Sequence, residues 1–404
     1  MYNMGNLLRK LATPFSLSET SYLSIMTWLT KWTLRSFAIP LKSESVSKEG
    51  RRFSVINKTS HWVIYACTAF LWLFYNLVYS FWFYKNIYNS NGSKGLPVWQ
   101  KVIAFFFLIN YVPIFGLHVC LLFRKKELLQ LLKTCVWIET KCIERGASEY
   151  TKISIFSNLY CVKLSIFAVP GMMGAVGLFL PCMPPSIAST LFLECQDRWG
   201  DQDAEVWVRL INGFAQGYVW LSLAGVMITT ISRILIYPSV MVELWIKMIE
   251  GQLDHYHFAN HGLEAFRVAQ VFQNLANSVM SKPFISIFAF LSIVSEILSL
   301  YVIITSWNNL SFGVSAFFCL MGMNYFLIIH ITLDSLSKSY VATVKFSKHM
   351  KRLRSRNAWV KKFLASCPPI KVGMGDGKFF DGLTSLIIWQ FCVDRLINLL
   401  LLEK

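Results

Sequence analysis

The chain has 404 residues, of which 55% are apolar, 15% aromatic and only 15% charged. A soluble domain carries about 25% charged residues. The composition therefore excludes a disordered chain, a collagen, a coiled coil and a nucleic-acid tail, and leaves a polytopic membrane protein. The formal charge of +17 then belongs to the cytosolic flanks of membrane spans.

Residues 21–38 set Ile25, Trp28, Leu29 and Trp32 at i, i+3, i+4 and i+7 among Ser, Thr and Lys. The spacing predicts an amphipathic helix, either lying in the membrane interface or packed in the cytosol. Seven apolar stretches are long enough to span a bilayer, near 62–84, 99–123, 154–181, 208–236, 284–306, 313–332 and 383–402. The segments between spans divide by charge. Residues 1–61, 124–153, 233–283 and 333–381 carry nine, seven, four and eleven Lys and Arg, whereas the alternate loops carry few. Lys and Arg resist translocation, so the amino end is expected in the cytosol and, after seven crossings, the carboxyl end outside. The sequon at Asn91 then lies outside, where glycosylation is possible.

Helical apolar spacing continues into the inside loops through Leu128, Leu131, Leu132 and Cys135, and again through Ile246, Ile249 and Leu253. These segments are expected to prolong the flanking spans into the cytosol. After span six the basic run Lys345, Lys348, Lys351, Arg352, Arg354 and Arg356 suits lipid headgroups. Nucleic acid is not expected there. Cys182 and Cys195 share an outside loop and could pair or remain free.

Several motifs have ordinary readings. His255, His257 and His261 have metal-like spacing without a nearby thiol, and a solvated helix accounts for them. The run Gly373, Gly375, Gly377 follows Pro368-Pro369 and precedes a span, so it reads as a turn and not as a phosphate loop. No HExxH, nucleophile elbow or Walker loop is present. The chain is not expected to be an enzyme or to hold a metal or cofactor.

Lys163 and Glu296 fall inside spans three and five, where an ionisable group must be paired, neutral or facing water. Along the last span Gln390, Asp394 and Asn398 recur at i, i+4 and i+8, with Arg395 on the adjacent stripe. Such a stripe must turn to protein or water. Either several subunits each give one such helix to a pore, or Asp394 and Arg395 make a buried contact between helices. The loop 182–207 carries Glu194, Asp197, Asp201, Asp203 and Glu205 against Arg198. It is either a plain solvated loop or a negative mouth that concentrates cations. Aromatics and Met gather in what this orientation makes the outer halves of the spans: Phe106, Asn110 and Tyr111 in two, Phe167, Met172 and Met173 in three, Phe214 and Tyr218 in four, Phe317 and Met321 in six. They read as core, as lipid-facing surface or, taken together, as a ligand pocket opened by the Pro170-Gly171 break in span three.

The stretch Phe363-Leu-Ala-Ser-Cys-Pro-Pro-Ile-Lys-Val-Gly, then Lys378-Phe-Phe-Asp, Thr384-Ser-Leu-Ile-Ile and Phe391-Cys-Val-Asp-Arg-Leu-Ile-Asn-Leu-Leu-Leu-Leu, resembles the end of insect odorant receptors. This resemblance covers the C-terminal fifth. Elsewhere the likeness is one of length, seven spans and orientation. It implies an all-α, seven-span subunit of a non-selective cation channel, a heterotetramer with an odorant co-receptor in the plasma membrane of sensory dendrites. Monovalent and divalent cations would pass, and a small neutral volatile would bind among the ten residues just named in spans two, three, four and six. Residues 1–61 would form a cytosolic segment, 62–332 the ligand bundle, 333–382 a cytosolic anchor and 383–404 the pore span. The family's gate falls on Leu399, with Arg395 before it and Leu402 and Glu403 after it. Glu403 departs from the pattern, because it is charged where that position is often apolar. Segment 237–283 lacks the long insertion of the co-receptor, which points to a tuning subunit. Thr384-Ser385 and Gln390-Phe391 echo the sister gustatory receptors, which form channels without a co-receptor. A G-protein-coupled receptor would carry the opposite orientation.

Overall fold

In hydrocarbon a backbone amide finds no water, so a long apolar run crosses only as a helix that closes its own hydrogen bonds. The computed structural model of the chain describes residues 41–46, 50–55, 59–88, 97–145, 167–184, 186, 205–252, 259–280, 282–353, 358–375 and 377–402. Within them, six helices are long and apolar enough to cross a membrane, and a shorter apolar helix, Phe167–Phe179, stands where span three is expected. The interfacial helix over 21–38, the Asn91 sequon, Lys163, the loop acids before Glu205, the first two histidines of the cluster and Glu403 lie outside the described residues.

In chain order the helices are α1 (Thr59–Phe83), α2 (Val98–Phe123), α3 (Lys125–Glu144), α4 (Phe167–Phe179), α5 (Val206–Ile228), α6 (Tyr237–Gln252), α7 (Ala259–Met280), α8 (Phe284–Ser306), α9 (Phe312–Leu327), α10 (Leu333–Leu353), α11 (Ala358–Ser366) and α12 (Thr384–Leu402). A π-helical segment, Thr229–Ile236, joins α5 to α6, and another, Ile328–Thr332, joins α9 to α10. Each junction makes one continuous rod, Val206–Gly251 of 46 residues and Phe312–Arg352 of 41. The spans are prolonged, as the apolar spacing predicts.

The prolongations form a sub-bundle of their own. Leu128, Leu131, Leu132 and Cys135 of α3 are buried, as are Ile246 and Ile249 of α6, and α6 packs on α3, α7 and α10. Phe266 of α7 stacks on Phe346 of α10 with centroids 5.2 Å apart. The Tyr237 hydroxyl donates to buried Glu139 at 2.5 Å, so the carboxylate is hydrogen-bonded where water is excluded. Arg124, at the α2–α3 junction, donates to the carbonyls of Ser278, Val279 and Lys282 at the end of α7. A cation there satisfies carbonyls that lack intrahelical partners.

In the membrane-spanning half, α8 lies at the centre, packed on α2, α9 and α12. Glycines bring α4 against α5: a Cβ on Gly213 would meet the Gly174 carbonyl oxygen at 3.0 Å. The helix α4 continues through Pro170-Gly171 without interruption.

Two small hairpins stand outside the all-helical expectation: Leu41–Val46 with Gly50–Val55, and Gly373–Gly375 with Lys378–Phe379. In the second, Gly377 turns the chain with φ of 75°, a conformation that a Cβ disfavours. The glycine run is thus a turn, as its sequence context predicts. It delivers the chain to α12, where the Thr384 hydroxyl donates to Asp381 at 2.7 Å, and Asp381 also accepts from the Leu383 N–H at 3.1 Å. These bonds fix where the last helix begins.

Candidate functional site

A cavity of about 110 Å³ lies between α2, α4, α5 and α9 and reaches both π-helical segments. A cavity of about 150 Å³ can hold benzene, so this one suits a molecule of roughly that size. The walls are Ile114 of α2, Val169 of α4, Trp220, Leu223 and Met227 of α5, Ile231 of the first π segment, Met321 of α9, and Ile328 and Ile331 of the second. Turns of the π kind widen a helix locally and cluster at functional sites. Here both widened segments face the same space.

The polar part is small. Asn110 of α2 donates to the Phe106 carbonyl at 2.8 Å and to Ser295 Oγ of α8 at 3.2 Å, and it accepts from the Tyr325 hydroxyl of α9. Asn110 and Tyr325 both line the cavity. Three helices thus share one hydrogen-bonded corner in an otherwise aliphatic pocket. Next to Ser295, Glu296 is 1% exposed, and its Oε2 has no hydrogen-bond partner among the described residues. Tyr325 and Cys392 are within electrostatic reach of it.

Of the ten residues the sequence singles out for a pocket, Asn110 and Met321 line the cavity. Phe106, Tyr111 and Phe317 are buried beside it. Together with Phe107, Trp220 and Phe318 they form a knot of rings: Phe107 stacks on Phe317 at 6.0 Å, Phe106 meets Phe318 edge-on at 5.0 Å, and Trp220 meets Phe317 at 5.8 Å. At the aromatic level the rings thus pack on one another. The open space lies further along the helices, against residues 220–236 and 321–332, where aliphatic side chains leave gaps. Met173 is buried and Met172 half-buried, and neither lines the cavity. Phe167 and Phe214 face outward, 48% and 78% exposed. Tyr218 shares a 2.8 Å hydrogen bond with Thr68 of α1.

The wall residues Leu223, Met227, Ile231, Ile328 and Ile331 carry no mark in the sequence beyond ordinary span residues. Tyr325 and Asn324 could have been found as polar side chains inside span six.

The last helix is built differently. Thr384, Cys392 and Leu396 are buried and Trp389 is half-buried, while Gln390, Asp394, Arg395, Asn398 and Leu399 are exposed. Arg395 sits over the Phe391 ring at 4.9 Å. The polar stripe thus points away from the chain's own bundle, and the alternative of a buried Asp394–Arg395 contact between helices does not hold. Leu402 is 83% exposed.

No family model matches the chain, and no curated protein matches it. Among solved structures it is similar to the insect olfactory receptor OR5 of Machilis hrabei, with a TM-score of 0.64 at 12% identity, over 93% of this chain and 97% of that one. It is equally similar to the same receptor in complex with eugenol, with a TM-score of 0.64 at 13% identity, over 94% and 99%. At such identity the likeness establishes the fold. The chain is a multi-pass helical membrane protein with an insect odorant receptor-type fold.

Proposed function

We propose that the chain is a tuning subunit of an odorant-gated, non-selective cation channel. It takes a small, neutral, mostly apolar volatile into the cavity and opens a pore that α12 shares with odorant co-receptor subunits. The observation that carries this reading is an aliphatic cavity with one polar corner, set in a bundle of this fold beside a helix whose polar stripe the bundle leaves uncovered.

The neighbour's complex contains eugenol. A molecule of that kind would lay its ring against Leu223, Ile328 and Met321 and turn its oxygens to the Asn110–Tyr325 corner. It opens the channel only if it binds the open packing more tightly than the closed one. Arg395 and Leu399 lie on the face that would line the pore, with Leu402 at its end. A ring of Leu399 side chains, one from each subunit, would close it by dewetting. The Lys and Arg distribution supports a cytosolic amino end and an exposed carboxyl end. The four helices α3, α6, α7 and α10 then form the cytosolic anchor.

The test is current recorded from cells expressing the chain with and without the co-receptor, against a panel of volatiles that includes eugenol. We expect current only with the co-receptor present. Current from the chain alone would favour the gustatory reading, and silence in both would overturn the channel assignment. Once an agonist is found, Tyr325→Phe should raise its half-maximal concentration about three- to tenfold, the worth of one hydrogen bond. Phe214→Ala, on the outward face, should leave it unchanged.

A further inference from the structure

Span six has two faces with different neighbours. Met321, Tyr325, Ile328 and Thr332 face the cavity. Phe326 and His330, one turn apart on the opposite face, grip Trp389 of α12. The Phe326 and Trp389 rings meet edge-on with centroids 4.9 Å apart, His330 lies 5.7 Å from Trp389, and Phe326 and His330 are 4.4 Å apart. His330 Nε2 is buried without a hydrogen-bond partner among the described residues, so among those residues its ring is positioned by these two aromatic neighbours. The π-helical segment Ile328–Thr332 begins between the two gripping residues, and α12 packs directly on that segment.

The rest of α12 has a small hold on its own bundle. In its apolar 18-residue stretch only 17% of α12 is buried, against 89% of the corresponding stretch in Val206–Gly251. Besides Trp389, its inward residues are few, chiefly Thr384, Cys392 and Leu396. A displacement of span six therefore reaches α12 through a narrow set of contacts. The Trp389 clasp is formed by the helix that also walls the cavity. Single π turns inside α-helices are frequent at functional sites. Filling the cavity against Ile328 and Thr332 bears on that segment from one side, and the clasp takes up the movement on the other.

We propose that Trp389, held between Phe326 and His330, is the positioning residue through which occupancy of the cavity sets the position of the last helix. This rests on the channel reading above and adds to it the route from ligand to pore. Trp389 touches neither the ligand nor the ions. Its loss should therefore uncouple binding from opening and leave binding intact.

The experiment compares wild type, Trp389→Ala, Trp389→Phe, His330→Leu and the pair Phe326→Ala with Phe326→Ala/Trp389→Ala. All are co-expressed with the co-receptor and scaled to surface-biotinylated protein. Maximal agonist current and agonist-free current are measured in cells, and binding of the fluorescent apolar probe 1-aminoanthracene is measured on the purified chain. We expect Trp389→Ala to change the maximal current, relative to the agonist-free current, at least about fivefold, a usual size for coupling between sites. Probe affinity should stay within twofold, on the order of experimental scatter in such free energies. Trp389→Phe should keep most of the response, and the Phe326 and Trp389 effects should be non-additive. If Trp389→Ala does not reach the surface, His330→Leu and Phe326→Ala carry the same comparison. A wild type that is silent with the co-receptor overturns the channel reading, and the inference with it. A responding wild type beside clasp variants with unchanged currents overturns the inference alone. So do variants whose probe affinity falls as far as their current.

Discussion

The cavity bundle and the last helix are made of similar residues, yet the chain finishes one and leaves the other open. In the bundle, Asn110, Ser295 and Tyr325 satisfy one another, and the rings of Phe106, Phe107, Trp220 and Phe317 fill the space beside them. In α12, Leu386, Ile387 and Leu401 are about 60% exposed, and among the described residues no helix covers the stripe of Gln390, Asp394 and Asn398. Lipid can cover the leucines but not a carboxylate or an amide at low cost. The difference teaches that the bundle satisfies its own polar groups, whereas the last span presents a polar stripe that lipid alone does not satisfy.

The strongest way to break this comparison is to delete packing on each side. Phe317→Ala removes a ring that is 1% exposed and should cost about 3–5 kcal/mol, a loss typical of a buried aromatic. The purified chain should unfold at a markedly lower temperature or fail to accumulate. Leu386→Ala, on the uncovered face, should change the stability of the isolated chain by less than about 0.5 kcal/mol and yet weaken assembly with the co-receptor. Melting in detergent and co-purification read the two effects separately. Equal losses of stability would mean that α12 is packed into its own bundle after all.

How much of this was legible in the sequence follows the same division. Membrane spans announce themselves by length and hydropathy, and helical spacing at Leu128–Cys135 and Ile246–Ile249 was enough to extend them. The polar stripe of α12 was legible because a period of four in an apolar helix has few explanations. The level of the cavity was not. Aromatic residues signal large buried area, and area is spent equally well on a pocket wall or on other rings. Only the three-dimensional packing shows that Phe106, Phe107 and Phe317 pack on one another while Leu223, Met227 and Ile328 leave space. The hairpin at Leu41–Val46 was also missed, because a short polar strand pair lacks the strong alternation that marks a half-buried strand.

A second prediction sharpens the reading of the stripe. In the assembled channel, Asp394→Cys and Asn398→Cys should react with a charged, water-soluble methanethiosulfonate, and the modification should reduce agonist current by about half or more, as a bulky charge in a narrow pore does. Leu396→Cys, on the face buried against the bundle, should stay unmodified, because a charged reagent does not enter a packed apolar contact. Modification at all three positions alike would remove the distinction between a water-facing stripe and a bundle-facing one.

That experiment depends on native thiols staying silent, and the sub-bundle of α3, α6, α7 and α10 offers an internal standard for a closed region. Cys142 of α3 is fully buried. Burial pushes its thiol from 9.0 up to about 12, with Glu139 raising it further and Arg145 opposing both. The thiolate is the reactive form, so at pH 7.5 a shift of three units lowers its population about a thousandfold against an ordinary thiol. A thiol raised in the folded state supports folding fully below pH 9, and that support is lost as pH rises from 9 through 12. We therefore expect Cys142 to remain unlabelled at pH 7.5 through the whole α12 experiment, and labelling to begin only in alkali, in step with loss of helical signal. Mass spectrometry of the alkylated peptide separates the sites. If Cys142 labels at pH 7.5 as fast as Asn398→Cys, the sub-bundle is no more closed than the last helix, and the contrast between finished and open regions fails where it should be clearest.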